Sequence, residues 1–401
     1  PRPTSYEGPD NSNLNNQRDT DHRMVASWKY YTSYGKMMLR SGSSGKQLDY
    51  AQKNRVPGLG LVPSIYSISH QHSFLNTLSY SHELDSDLSL EGKLDVNHHD
   101  VSSRDTVNRE GFDKQRNEVS LYMAVRRSYG DRLNLNLMVR QDWVDGKRIP
   151  IIPFFGIDYR LIEGIDLVLK GSVARNYHQP ALNDLYWQPG GNPNLLPEKG
   201  FSTDAGLEYQ KVFSRHRLKT GITAYRSDID NWILWIPSYR GYWEPANIRE
   251  VLSTGVEYDL QVNGYLGKVQ YKVAGNYAYT KSVNRGDSLV WSDASYGRQL
   301  VYIPLHSGNF MVNLAYRKYF ITYQYNAYSE RYTTSSNDLT RRDWLYPYFM
   351  NDMALGGEFR IKNIILSAEL KVYNIFNESY HSILYRPMPG RNYLLVVKLK
   401  I

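Results

Sequence analysis

Residues 268–280 read KVQYKVAGNYAYT, and the order of these side chains decides the fold class. Val269, Tyr271, Val273, Gly275, Tyr277 and Tyr279 take the odd positions, while Lys268, Gln270, Lys272, Ala274, Asn276, Ala278 and Thr280 take the even ones. Successive side chains of an extended chain point to opposite faces, so the stretch is a strand with one greasy face and one wet face. A helix would need its apolar residues three and four apart. The same alternation sets Leu133, Leu135, Leu137 and Val139 against Arg132, Asn134, Asn136 and Arg140. It recurs with Ile364, Leu366, Leu370 and Val372 against Ser367, Glu369 and Lys371.

Working outward, seventeen such segments begin near Arg23, Lys36, Gln71, Asp87, Asn117, Arg132, Arg148, Gly164, Gly200, His216, Glu250, Gly267, Ser307, Tyr319, Tyr346, Asn363 and Asn392. Their connections alternate in length. Tight turns are expected at 33–35, 82–86, 129–131, 162–164, 211–215, 266–267, 317–318 and 362–363. Long connections rich in Tyr, Trp and Asn are expected at 177–198, 232–249, 283–298, 333–345 and 376–391. Short turns at one end and long loops at the other are the habit of an outer-membrane barrel, and a soluble sandwich has no reason to adopt it.

Composition agrees. The 401 residues are 41% hydrophobic and contain no cysteine, which excludes disulfide scaffolds and thiolate zinc sites. The longest stretch free of both charge and strong polarity, near 149–157, is about half of the roughly 20 residues that a membrane-spanning helix needs. A mean hydropathy of −0.56 is compatible with a lipid-embedded sheet, because only alternate residues meet hydrocarbon. Thirty-five tyrosines against eleven phenylalanines suit boundaries between water and an apolar phase. The net charge of +8 is scattered over strands and turns, so no stripe for nucleic acid forms. Neither does a nucleophile elbow or a catalytic triad, and the reading is of a protein that is not an enzyme. The fold expected is all-β: a transmembrane antiparallel β-barrel over 22–401, with residues 1–21 (PRPTSYEGPDNSNLNNQRDTD) as the tail of an extracellular loop.

Two segments resemble the TonB-dependent outer-membrane receptors. Residues 174–209, ARNYHQPALNDLYWQPGGNPNLLPEKGFSTDAGLEY, are similar to that family's rise into a Pro-x-Leu-x-(Asp/Glu)-Leu-Tyr element, a Gly-Asn-Pro-x-Leu-x-Pro-Glu loop and a descending strand. Residues 372–401, VYNIFNESYHSILYRPMPGRNYLLVVKLKI, look like its final strand pair, with an Asn-Ile-Phe-Asn turn and a Met-Pro-Gly-Arg entry. The closing pattern Val397, Leu399, Ile401 departs from the aromatic last residue usual in the family. The resemblance implies a 22-stranded barrel of which this chain supplies about seventeen strands, with the plug domain absent from this chain. It also implies partners: a plug and remaining strands, the TonB–ExbB–ExbD complex, outer-membrane lipid and lipopolysaccharide, and a surface lipoprotein lid. The Leu-Asn-Asp-Leu-Tyr-Trp-Gln-Pro-Gly-Gly run is most like cobalamin-type receptors of Bacteroidetes. Haem or a ferric siderophore remains the alternative substrate, and a passive porin or surface-binding barrel the alternative class.

Candidate ligand residues follow. Tyr177, His178, Gln188 and Asn192 belong to the resembling segment, and Tyr186, Trp187, Tyr242, Trp243, Trp291, Trp344, Tyr380 and Tyr385 would offer a rigid, half-polar surface in the long loops. Pro180, Pro189, Pro193 and Pro197 stiffen the crossing, and Gly190 and Gly191 allow positive φ. No resident cofactor is expected, apart from a calcium ion that Asp10, Asp19 and Asp21 could hold. His70, His72 and His98 share parity with Phe74, Leu78, Leu94 and Val96, which puts them against lipopolysaccharide. The alternative for these three and His99 is ligation of haem iron or a metal.

Overall fold

The computed structural model describes residues 14–237, 242–286, 295–338, 344–361, 364–384 and 386–400. Asp10, Trp291 and Tyr385 lie outside them. Seventeen long strands are present: β1 Leu14–Tyr31, β2 Gly35–Val56, β3 Gly60–Glu83, β4 Leu88–Asp105, β5 Glu110–Tyr129, β6 Leu133–Val144, β7 Ile152–Arg160, β8 Asp166–His178, β9 Glu198–Phe213, β10 His216–Pro237, β11 Trp243–Leu266, β12 Val269–Asn284, β13 His306–Tyr316, β14 Tyr319–Tyr328, β15 Tyr348–Ile361, β16 Ile364–Tyr373 and β17 Asn392–Lys400. One short helix, α1, spans Leu182–Tyr186. Eighteen strands, the two-residue Lys147–Arg148 included, fall in one sheet. Every ladder given by its register is antiparallel between strands consecutive in this order.

The chain divides into two compact units, Pro1–Asp158 with Ser172–Ser202 and Asp228–Glu250, and Tyr159–Gly171 with Thr203–Ser227 and Val251–Ile401. In the first, register sets Leu39 opposite Leu78, Leu78 opposite Leu94, and Leu94 opposite Leu121, a leucine row across β2 to β5. The other face of these strands is polar. Thr77 bonds to Asp95 at 2.6 Å, Ser73 to His99 at 2.9 Å, and Ser120 to Asp142 at 2.6 Å. In the second unit the row runs Tyr271, Leu314, Ile321, Leu355, Leu370, Leu395 across β12 to β17. Its five aliphatic members are 38–66% exposed. A face of large aliphatics left open over five strands has no place in water and fits hydrocarbon. Opposite it, Asn313 bonds to Thr322 at 2.7 Å, and Glu208 lies 3.0 and 3.1 Å from Lys170 and Lys219.

The tight turns from 33–35 to 317–318 lie where alternation places them, and 362–363 falls outside the described residues. Gly267 (φ 63°) and Gly130 (φ 56°) supply the left-handed backbone that short hairpins need, and Arg317 adopts φ 52° without glycine's freedom. The outer ends depart from expectation. Leu14–Asp21, read as loop, is strand paired to Lys46–Lys53, and 232–249, read as a long loop, is mostly the ends of the neighbouring strands β10 and β11. Strands of 22 and 24 residues, β2 and β3, far exceed the roughly 9–11 that cross a bilayer. Beyond the lipid, main-chain bonding continues while the apolar alternation stops. Only the alternation was readable.

Asp105 closes the outer β4–β5 turn. Its carboxylate accepts the N–H groups of Val107 (2.8 Å), Asn108 (3.2 Å) and Tyr66 (3.3 Å) and the Asn108 amide (2.8 Å). Burial raises its pKa, but the Asn108 and main-chain donors more than offset that, and the net displacement is downward. A depressed carboxylate stabilises fully above its unfolded pKa near 3.9, and that contribution is lost as pH falls through the folded value. Asp105→Asn should therefore flatten the acid limb of the unfolding midpoint, measured from pH 7 to 3, and a curve unchanged from wild type would contradict the assignment. Leu355→Arg, on the lipid row, should cost about 2–4 kcal/mol in reversible unfolding from phospholipid vesicles. Thr322→Arg, on the wet face, should cost well under half as much.

Candidate functional site

The segment 179–197, between β8 and β9, is built into the first unit by polar contacts. Pro180 is fully buried, and its carbonyl accepts Nη2 of the buried Arg116 on β5 at 2.8 Å. α1 follows, its first turn closed by Asp184 Oδ2, which accepts the Ala181 N–H at 2.9 Å. Asp184 Oδ1 accepts the indole N–H of Trp235 from β10 at 2.9 Å, and its carbonyl accepts the Asn192 N–H at 2.8 Å. One aspartate thus ties helix, loop and strand.

The Asn-Pro-Asn-Leu box is equally fastened. Asn192 Oδ1 accepts the Asn194 N–H at 3.0 Å, Asn192 Nδ2 reaches the Pro245 carbonyl at 3.3 Å, and Leu195 is buried. Asn247 bonds both main-chain groups of Leu196, at 2.8 and 3.0 Å, and the Asn231 carbonyl at 2.7 Å. Glu198 Oε1 takes the Ile233 N–H at 2.7 Å. Gly190 adopts φ 116°, and a Cβ there would strike the Trp243 carbonyl. Gly191 does not share that region. Its requirement is space, because a Cβ would meet the Trp187 main chain.

This geometry brings Tyr186, Trp187, Gln188, Asn192, Tyr242 and Trp243 to one outer region of the first unit. Trp243 stays exposed, whereas Tyr186 lies under Lys114 Nζ (4.7 Å to the ring) and beside Phe112. Gln188 accepts the Gly111 N–H at 3.0 Å. A cavity of about 820 Å³ adjoins it, lined in part by His70, Arg104, Arg109, Gly111 and Phe112. Tyr177 is held by Gln179 (2.9 Å) and His178 is exposed. Asn192, expected to touch ligand, spends both of its side-chain polar atoms on the fold, and Gln188 spends its Oε1 there.

In the second unit the loops between β14 and β15 and between β16 and β17 form another cluster. Tyr328, Tyr348 and Tyr380 pile up with ring centres 4.9 Å apart at each step, and the Arg331 guanidinium sits over Tyr348 at 4.7 Å. Arg331 is buried and donates to the carbonyls of Tyr346 (3.2 Å) and His381 (3.1 Å). Burial lowers its pKa, and burial together with Asp352 raises that of the Tyr380 phenol. The Asn-Ile-Phe-Asn turn is closed by Asn374 (φ 52°), whose side chain bonds Glu378 twice and whose N–H reaches Asp352 Oδ1 at 2.8 Å. Trp344 packs on Tyr346 at 4.4 Å. Of this cluster the sequence reading named Trp344 and Tyr380. It missed Arg331, Tyr328, Tyr348 and Asp352, whose one signal is that all but Arg331 fall on the wet parity of their strands.

The histidines do not converge. His72 bonds Ser43 (3.2 Å) on the lipid-facing side, His98 bonds Asn117 (2.8 Å), and His99 points to the other face beside Ser73 and Glu118. Asp19 and Asp21 lie exposed on β1, Asp19 bonded to Gln17 at 2.9 Å. Among the described residues no group of three His, Asp or Glu side chains gathers as a metal site.

The family model described as TonB dependent receptor-like, beta-barrel matches residues 2–375. The chain belongs to this family. As a barrel of TonB-dependent receptor type, it has the leucine rows on the lipid side and the polar ladders on the lumen side. It is 32% identical over 107 residues to a vitamin B12 transporter of Vibrio vulnificus, covering 26% of this chain and 16% of that protein. It is 26% identical over 228 residues to one of Photobacterium profundum, covering 54% and 35%. The receptor chain therefore matches about a third or less of the length of these relatives. Among solved structures it is similar to the ferric-catecholate import receptor Fiu of E. coli K12, with TM-score 0.70 and 14% identity over 95% of this chain and 64% of that one. The copper transporter OprC gives a TM-score of 0.68 with 16% identity, covering 95% and 65%. At such identities the likeness establishes the fold alone.

The Asp184 assignment has a direct check. Asp184→Ala leaves the Trp235 N–H and the Ala181 N–H without their acceptor, a loss of about 1–2 kcal/mol, most of it from the half-buried indole donor. Protease cleavage within 179–197 should become at least severalfold faster while cleavage elsewhere is unchanged. Unaltered cleavage would show that the aspartate does not hold this segment.

Proposed function

We propose that this chain is the barrel portion of an outer-membrane active transporter that captures a cobalamin-like corrinoid in its outer loops and imports it with energy delivered through TonB. The observation that carries the corrinoid is the sequence match to two vitamin B12 transporters, which rises to 32% identity over 107 residues. The chemistry of the outer surface supports it. Trp243 in the first unit, and separately the Tyr328–Tyr348–Tyr380 pile in the second, offer flat, rigid faces, and Asn and Tyr side chains supply neutral hydrogen-bonding groups. A large, amide-rich, weakly charged ligand needs such a surface, and aromatic side chains lose little entropy on contact.

In this account the partners are a plug that fills the lumen, the TonB–ExbB–ExbD complex that remodels it, and a surface lipoprotein that lids the mouth. The knitted segment 179–197 is then a rigid wall that keeps the outer surface in shape when a ligand is drawn inward. The loops bind; the barrel does no chemistry.

Calorimetric titration of the detergent-solubilised full-length receptor with cyanocobalamin, haemin and a ferric catecholate siderophore tests the substrate. Saturable binding of cyanocobalamin at submicromolar concentration is expected, with neither competitor reaching it. Binding of haemin or the siderophore alone would replace the corrinoid. Uptake of labelled cyanocobalamin by cells should also stop when a protonophore collapses the inner-membrane gradient, and uptake that survives would mark a passive pore.

A further inference from the structure

A cavity of about 420 Å³ in the second unit is lined by Asn326, Tyr348, Asp352, Asn374, Tyr380 and Asn392, among others. On β14 and β15 the lipid-facing set is odd-numbered, as in Ile321, Phe349, Met353 and Leu355, so Asn326, Tyr348 and Asp352 belong to the opposite, wet face. Asn374, Tyr380, Met388 and Pro389, between β16 and β17, line it as well. Its wall is the end of the tyrosine pile, Tyr380 stacked on Tyr348 at 4.9 Å and 30° and Tyr348 on Tyr328 at 4.9 Å, with Arg331 clamping the middle ring. Its floor is polar. Asp352 Oδ1 accepts the Asn374 N–H at 2.8 Å, which holds the carboxylate in place.

Three features limit the occupant. A terminal phenol ring backed by two more presents a flat π surface, which suits another flat ring in offset stacking. The volume lies near the low end of the roughly 300–1,000 Å³ of ligand sites, room for a bicyclic ring and none for a macrocycle. The carboxylate and the amides favour hydroxyl donors, such as those of a sugar.

We propose that this cavity is a subsite for the heteroaromatic base at the end of the corrinoid's nucleotide arm, the base laid on Tyr380 and the adjoining sugar hydroxyls donating to Asp352 and the neighbouring amides. The inference rests on the corrinoid reading above and adds where the arm is held. Arg331 is a positioning residue here: it touches no ligand and keeps Tyr348 in the pile.

The test compares cyanocobalamin with dicyanocobinamide, the same macrocycle without base and sugar, on the full-length receptor in detergent. Tyr380→Ala should weaken cyanocobalamin roughly tenfold and leave dicyanocobinamide within twofold, while Tyr380→Phe keeps the stack and stays near wild type. Equal losses for both ligands, or none for either, would overturn the subsite while leaving the corrinoid reading intact. Should wild type bind neither corrinoid, the functional reading fails. The subsite is then judged by saturation-transfer signals from 5,6-dimethylbenzimidazole riboside: signals abolished in Tyr380→Ala support it, and signals equal in the two proteins overturn it.

Discussion

In hydrocarbon every main-chain N–H and C=O must find a partner inside the protein, because no water is there to replace one. Antiparallel ladders meet that demand strand by strand, and the two-residue period then sorts side chains between lipid and water. The leucine row from Leu39 to Leu121 and the row from Tyr271 to Leu395 are consequences of that constraint together with the register. A slip of β16 by one residue against its neighbours would turn Lys371 or Glu369 toward lipid and Leu370 toward water. The side-chain ladders on the wet face, such as Thr77 with Asp95 and Asn313 with Thr322, oppose such a slip locally.

Function sits where the constraint ends. Above the lipid the strands continue without the need for apolar alternation, and their side chains are released for other bonds. Asp184, Asn247 and Glu198 use that freedom to fasten 179–197 to β10 and β11. Arg331 and Asn374 use it to order the loops that carry the tyrosine pile. Rigid loops on a rigid scaffold suit capture of a scarce ligand, since little ordering entropy remains to be lost on binding.

The transmembrane part was legible in the sequence because each strand there carries its own periodicity: all seventeen strands read from alternation are present. The outer extensions were not. Leu14–Asp21 is polar and turn-forming, and its strand state is held by partners across the ladder, of which single-strand propensity carries no trace. Residues 232–236 (WILWI) are apolar on both faces, so they show no two-residue alternation to read. The resembling motif located Tyr186 and Trp187, and the aromatic richness of the long loops Tyr242 and Trp243, but neither showed that Asn192 serves the fold. Arg331 gave no warning at all, being one cation among forty-eight lysines and arginines. Its importance comes from the carbonyls of Tyr346 and His381, which tertiary structure alone brings to it.

The central claim is the sorting of faces, and the absence of cysteine makes it directly measurable. Single cysteines at 312–315, 320–323, 353–356 and 368–371, spin-labelled in phospholipid vesicles, would report their exposure to oxygen dissolved in lipid and to a water-soluble nickel chelate. The account predicts a two-residue oscillation, oxygen high at Leu314, Ile321, Leu355 and Leu370 and low at Asn313, Thr322, Ala354 and Lys371, in phase across all four strands. Oxygen and nickel accessibility that rise and fall together, or a phase that reverses between neighbouring strands, would contradict it.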